Sequence, residues 1–147
     1  VDPSRIIFAD YLEHSKHLER HKHADLFLDT FCVNAHTTAS DALWAGLPVV
    51  TKQGKQFSAR VAASLLHAAG LGALVAETES EYENLIVSLA RDRTGLAGIK
   101  QTLLETRKSC ALFDTVSYTR QFEAGLKKAY QHHRNGKAPA DIYIKDA

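Results

Sequence analysis

Leu26-Phe27-Leu28-Asp29, then a short polar loop, then Asn34-Ala35-His36-Thr37-Thr38-Ala39-Ser40-Asp41-Ala42-Leu43-Trp44-Ala45-Gly46-Leu47-Pro48-Val49-Val50-Thr51 decide the fold. Leu26 to Leu28 is a short apolar run that reads as a buried strand. Thr38 to Ala45 reads as a helix opened by hydroxyl side chains and closed by Gly46. Pro48 to Thr51 is β-branched, bounded by turn residues, and reads as the next strand. Strand, helix and strand in this order imply a parallel crossover. The N–H groups at the start of the central helix, with Thr37, Thr38 and His36 beside them, form a natural anion site. Asp41 lies one turn further along.

Downstream, a helix is expected from about Phe57 to Ala69, with Val61, Leu65 and Ala69 on one stripe and Ala62 and Leu66 beside it. Gly70 and Gly72 end it, and Ala73-Leu74-Val75 reads as another strand. Thr78-Glu79-Ser80-Glu81 has the form of a capping box, followed at helical spacing by Tyr82, Leu85, Ile86 and Leu89. A further helix carries Leu96, Ile99 and Leu103. The last, opened by Asp114, carries Phe122, Leu126, Ala129 and Tyr130. Upstream, Arg5-Ile6-Ile7-Phe8 reads as a strand and Ser15 to His23 as helical. The fold class is α/β: a partial Rossmann-like parallel sheet, the second half of a doubly wound domain, with C-terminal helices. Residues 1–112 are expected to form that half-sheet, and 113–147 the last helix and a polar tail of the same domain.

The 147 residues, 45% hydrophobic and 24% charged with a formal net charge of +1, carry no electrostatic footprint for nucleic acid. No apolar run reaches the roughly 20 residues of a membrane span. Cys32 and Cys110 form no CxxC pair and read as two thiols of a cytoplasmic protein. The chain starts at Val1 and lacks methionine, so it reads as a piece of something longer.

Each candidate constellation has a structural and a functional reading. Thr38-Ala39-Ser40-Asp41 fits a helix cap, with Asp41 serving its own N-terminus. The other reading gives a diphosphate to the threonines and backbone, and a ribose to the carboxylate. His14, His17, His21 and His23 crowd one stretch. Without a cysteine or a Glu-x-x-His pattern they are a poor zinc set. They read as solvated side chains, or as one or two facing a nucleotide base, with His17 and Arg20 one turn apart. Trp44 reads as a core anchor rather than a stacking platform. Arg60 could hold an internal carboxylate or a ligand.

From Arg5 to Ser64 the chain resembles the C-terminal catalytic lobe of O-linked N-acetylglucosamine transferases, above all the bacterial relatives with tetratricopeptide repeats upstream. The matching residues are Arg5-Ile6-Ile7-Phe8, Ala24-Asp25, Leu28-Asp29-Thr30, Asn34 through Gly46, and Arg60-Val61-Ala62-Ala63-Ser64. The His-Thr-Thr segment followed by Asp, Leu-Trp and Gly is the most specific part.

The resemblance implies a two-lobed GT-B glycosyltransferase. It would move N-acetylglucosamine from UDP to protein Ser and Thr hydroxyls with inversion, without a metal or other cofactor. Its implied partners are the UDP-sugar, a protein acceptor, an N-terminal lobe and tetratricopeptide repeats, with no nucleic acid and no membrane. Residue by residue, it puts His36, Thr37 and Thr38 on the diphosphate and Asp41 on the ribose, with His14 where animal enzymes carry a lysine. His17, Arg20 and the backbone near Leu12 would hold the uracil. Ala35 and Ala39 stand where the animal pattern has glycine, and Lys52-Gln53-Gly54-Lys55 lacks the usual Pro-Gly-Glu. The family's diphosphate-binding lysine lies upstream of Val1, so this stretch alone is expected to be inactive. Another donor, such as GDP-fucose or UDP-glucose, and a non-catalytic binding module stay open as alternatives.

Overall fold

The computed structural model describes residues 2–144. Three short strands, β1 (Phe27–Leu28), β2 (Val49–Lys52) and β3 (Val75–Ala76), form a sheet in that order, and both pairings are parallel. Phe27 is in register with Val49, and Thr51 with Val75. Helices α1 (His14–Arg20), α2 (Thr37–Trp44), α3 (Val61–Ala68), α4 (Glu79–Arg91), α5 (Arg93–Thr106) and α6 (Thr115–Arg134) complete the regular structure. The chain divides into two compact units, Val1–Arg107 and Lys108–Ala147.

The first unit is organised around β2. Val49, Val50 and Thr51 are all 0% exposed, so both faces of this central strand are covered, as a parallel sheet requires. Two successive crossovers in one direction put α2 and α3 on the same face, since such connections are right-handed. Their small residues Ala39, Ala42, Ala62 and Ala63, with Leu43 and Leu66, fill the space against the sheet. After β3 the chain returns as α4, which packs on β2 and β3, and α5 follows with Leu96 and Leu103 buried.

Sequence rules account for the helix ends. Gly46 (φ +86°) and Gly70 (φ +75°) take the left-handed conformation that ends α2 and α3. At α2 the Gly46 N–H donates to Leu43 O at 3.1 Å and the Leu47 N–H to Ala42 O at 2.8 Å. At α4 the expected capping box is present: Thr78 Oγ1 accepts from Glu81 N, and Glu81 accepts from Thr78 N. In the second unit, Asp114 caps α6 by accepting from Ser117 N at 2.9 Å.

Two expectations are corrected. Arg5-Ile6-Ile7-Phe8 is not a strand: a short helical turn covers Pro3–Arg5, and Ile7 and Phe8 are 87% and 91% exposed. Ile7 faces Phe27 and Leu28 across a cavity of about 660 Å³, so no ladder forms there, and the described sheet has three strands rather than four. Trp44 is not a core anchor. It sits at the last turn of α2, 40% exposed, with the Arg107 guanidinium 5.4 Å from its ring centre and donating to its carbonyl oxygen. Position along the α2 stripe decides this, since Ala42 and Leu43 already fill the buried side.

Candidate functional site

A cleft of about 320 Å³ is lined by Tyr11, Leu12, His14, His17, Arg20, Thr38 and Asp41. Its volume falls at the small end of ligand clefts, roughly 300–1,000 Å³. Two separate pieces of chain build it. One is the extended segment before α1 together with the inner side of α1; the other is the first turn and a half of α2. Two larger cavities, of about 650 and 660 Å³, flank β1 and are lined mostly by apolar residues such as Leu26, Leu28 and Leu47. The second of them shares His17 and Arg20 with the smaller cleft, and neither reaches Thr38 or Asp41 at the start of α2.

Leu12, His14, His17, Arg20, Thr38 and Asp41, six of the eight residues singled out in the sequence, therefore meet around one space. His14 Nε2 lies 3.5 Å from Asp41 Oδ2, with Asp41 the more sheltered partner. Arg20 donates to Asp10 O at 2.8 Å, which folds the Tyr11-Leu12 segment over the cleft. His17 is half-buried, and loss of solvent, followed by the nearby Arg20 cation, holds its imidazole below the ordinary histidine range. His21 does not join them. It is 8% exposed, and its Nδ1 donates to His17 O at 2.8 Å, with the two rings edge to face at 4.7 Å. The histidine stretch is thus split between a cleft wall and a structural brace. Among the described residues, no group of three or more His, Cys, Asp and Glu is placed to hold a metal ion.

His36 and Thr37 stand at the start of α2, beside Thr38. His36 is the N-cap residue, and no side chain caps this helix. Asp41 is not its cap, because α2 begins at Thr37, which puts Thr38 already inside the helix and Asp41 more than a turn in. His36 Nε2 lies 3.4 Å from Ser58 O, and its ring stands edge to face with Phe57 at 6.2 Å. Arg60 reaches neither a carboxylate nor the cleft. It donates to Gly54 O at 2.9 Å, and the Gln53 side-chain oxygen, turned toward it, accepts at 3.0 and 3.1 Å. Its cation closes the loop after β2.

One buried group went unread in the sequence. Asp29, at the end of β1, is 5% exposed. Its Oδ1 accepts from Thr30 N at 2.8 Å and Ala35 N at 2.7 Å, and its Oδ2 from Thr51 Oγ1 at 2.6 Å. The Tyr82 hydroxyl donates to the Asp29 carbonyl oxygen at 2.8 Å, and burial, with the Asp29 charge second, raises the phenol above its ordinary range. An acid closing an apolar strand, with hydroxyl and amide donors in reach, is the signal that could have marked it.

A parallel sheet with a polar cleft beside a helix start, beyond the carboxyl end of a strand, defines an α/β lobe of the doubly wound kind, a fold whose ligands sit at such places. Solved structures agree: the chain matches a lysine-to-methionine mutant of Thermobaculum terrenum O-GlcNAc transferase with a TM-score of 0.67 at 32% identity, over 82% of this chain and 22% of that one. The chain belongs to glycosyl transferase family 41, whose model matches residues 1–122. Among curated relatives, it is 39% identical over 98% of its length to a probable UDP-N-acetylglucosamine–peptide N-acetylglucosaminyltransferase, SEC, of Arabidopsis thaliana. It is 38% identical over 92% of its length to the Caenorhabditis elegans UDP-N-acetylglucosamine–peptide N-acetylglucosaminyltransferase. The chain spans 15% and 12% of those two relatives.

Proposed function

We propose that this chain is the UDP-sugar-binding part of a glycosyltransferase that moves N-acetylglucosamine from UDP to Ser and Thr hydroxyls of proteins. The observation that carries this reading is the cleft itself, where the Tyr11–Arg20 segment and the start of α2 converge. In this reading uracil lies against His17 and Arg20 with the backbone near Leu12, and the ribose hydroxyls donate to Asp41 beside His14. The diphosphate sits at His36, Thr37 and Thr38. The α2 dipole and the hydroxyls stabilise negative charge as UDP departs, an electrostatic contribution that calls for no divalent cation. The acceptor hydroxyl belongs to the substrate protein, and this stretch offers no base assigned to the proton it loses.

Differential heat protection tests the reading. UDP at a hundred times its Kd would add about 2.7 kcal/mol to the stability of the complete protein, and an equal concentration of GDP clearly less. Equal or greater protection by GDP would move the reading to a GDP-sugar donor, and protection by neither would leave a non-catalytic module. Activity is expected to survive EDTA. Its loss, restored by one metal ion per chain, would overturn the metal-free chemistry.

A further inference from the structure

We infer that Asp29 is a positioning residue for diphosphate recognition, setting where the start of α2 stands; this rests on the UDP reading given above. The loop from Thr30 to His36 connects β1 to α2, and both of its ends answer to one carboxylate. Oδ1 takes the N–H of Thr30 where the loop leaves the strand, and the N–H of Ala35 just before the helix N-cap. Oδ2 takes the hydroxyl of Thr51, which is 0% exposed in the central strand. The loop is thereby tied to the buried central strand of the sheet. Two further bonds keep it closed: Asn34 Nδ2 donates to Thr30 O at 2.7 Å and Asn34 N to Ser58 O at 2.8 Å.

Chemistry explains why an acid fits here. Three donors converge on one side chain, and an ionised carboxylate is an acceptor only, with lone pairs for all of them. Asparagine can reproduce most of the arrangement, its oxygen facing the two N–H groups and its amide donating to a rotated Thr51 hydroxyl. Alanine cannot, and it releases the loop. The ligand part most sensitive to this displacement is the diphosphate at His36, Thr37 and Thr38. The base lies against α1, which Asp29 does not touch.

The test compares UDP with uridine by titration calorimetry on the complete protein, for the parent, Asp29→Ala, Asp29→Asn, Thr51→Val and Tyr82→Phe. Asp29→Ala is expected to weaken UDP at least tenfold and uridine less than twofold. Asp29→Asn should restore UDP to within about threefold of the parent. Tyr82→Phe, which loses a bond to the Asp29 backbone but not to its carboxylate, should keep the parental UDP-to-uridine ratio. Should Asp29→Ala not fold, Thr51→Val reads the same tie, with a several-fold loss confined to UDP. If the folded variants lower only the melting temperature and keep the parental ratio, Asp29 is structural and the inference is wrong. A parent that binds no UDP removes the UDP reading and this inference together.

Discussion

Helices α4 and α2 both carry a threonine-x-x-acid sequence near their starts, Thr78-Glu79-Ser80-Glu81 and Thr38-Ala39-Ser40-Asp41. At α4 the pattern closes on itself. Thr78 is extended (φ −124°, ψ 160°), its hydroxyl accepts from Glu81 N at 3.1 Å, and Glu81 Oε2 takes the N–H groups of Thr78 and Glu77. At α2 the helix starts one residue before Thr38, and the N-cap is His36 with φ −101° and ψ −91°. Thr38 is then too far inside to cap, and Asp41 is directed to His14 across the cleft. The lesson is that a four-residue pattern does not fix its own register. The loop that precedes the helix does, and here it leaves the α2 start without a side-chain cap and available to a ligand.

The comparison can be broken most severely at the threonines. In the complete protein, Thr37→Val combined with Thr38→Val removes both hydroxyls at similar volume. Two charge-assisted bonds at about 1.5 kcal/mol each make the expected loss of UDP affinity on the order of a hundredfold, with uridine nearly unaffected. Parental UDP binding by this variant in calorimetry would make the α2 start purely structural. Asp41→Asn should cost UDP about tenfold, as expected for a charged acceptor of ribose hydroxyls worth roughly 1.5–3 kcal/mol. Because Asp41 caps nothing, the melting temperature should barely move. A fall in stability with unchanged affinity would reverse the assignment.

At the closed start the outcomes invert. Thr78→Ala should lower stability by about 1 kcal/mol in denaturant titration and leave the UDP Kd alone, since that cap serves only α4. The smallest effect concerns pH. His17 is held below its ordinary value in the folded protein, so folding favours its neutral form. Its contribution is complete above the unfolded value near 6.5 and is lost as pH falls through the lowered folded value. The stability difference between the parent and His17→Gln should therefore shift against the parent as pH drops from 7 to 5. A difference that stays constant over that range would contradict the shift.

Much of the architecture was legible because it rests on local chemistry. The β-branched Val49-Val50-Thr51 run, the Thr78 box, the Asp114 cap and the glycines after α2 and α3 each act within a few residues, and each stands where the sequence puts it. Ile6-Ile7-Phe8 has the composition of a strand, but a strand exists only beside a partner, and composition is silent about partners. Trp44 departs from its sequence reading for a related reason, since the side of a helix that faces the core is set by its neighbours. The cleft was legible in its parts. His17, Arg20 and Asp41 stand out by type and spacing, and the structure brings them around one cleft. Asp29 was not legible as a hub, because its three donors come from two strands' worth of chain: Thr30 and Ala35 nearby, and Thr51 far along the sequence.

Gly46 gives α2 a fixed far end as well. It holds the left-handed turn, and the Leu104 side chain of α5 occupies the place a Cβ there would take. Asp29 thus ties the approach to one end of α2, and the Leu104 side chain packs against the turn that closes the other. On the UDP reading, a dipole held at both ends is preorganised: a diphosphate at its start would find the N–H groups already aligned, at little cost in reorganisation.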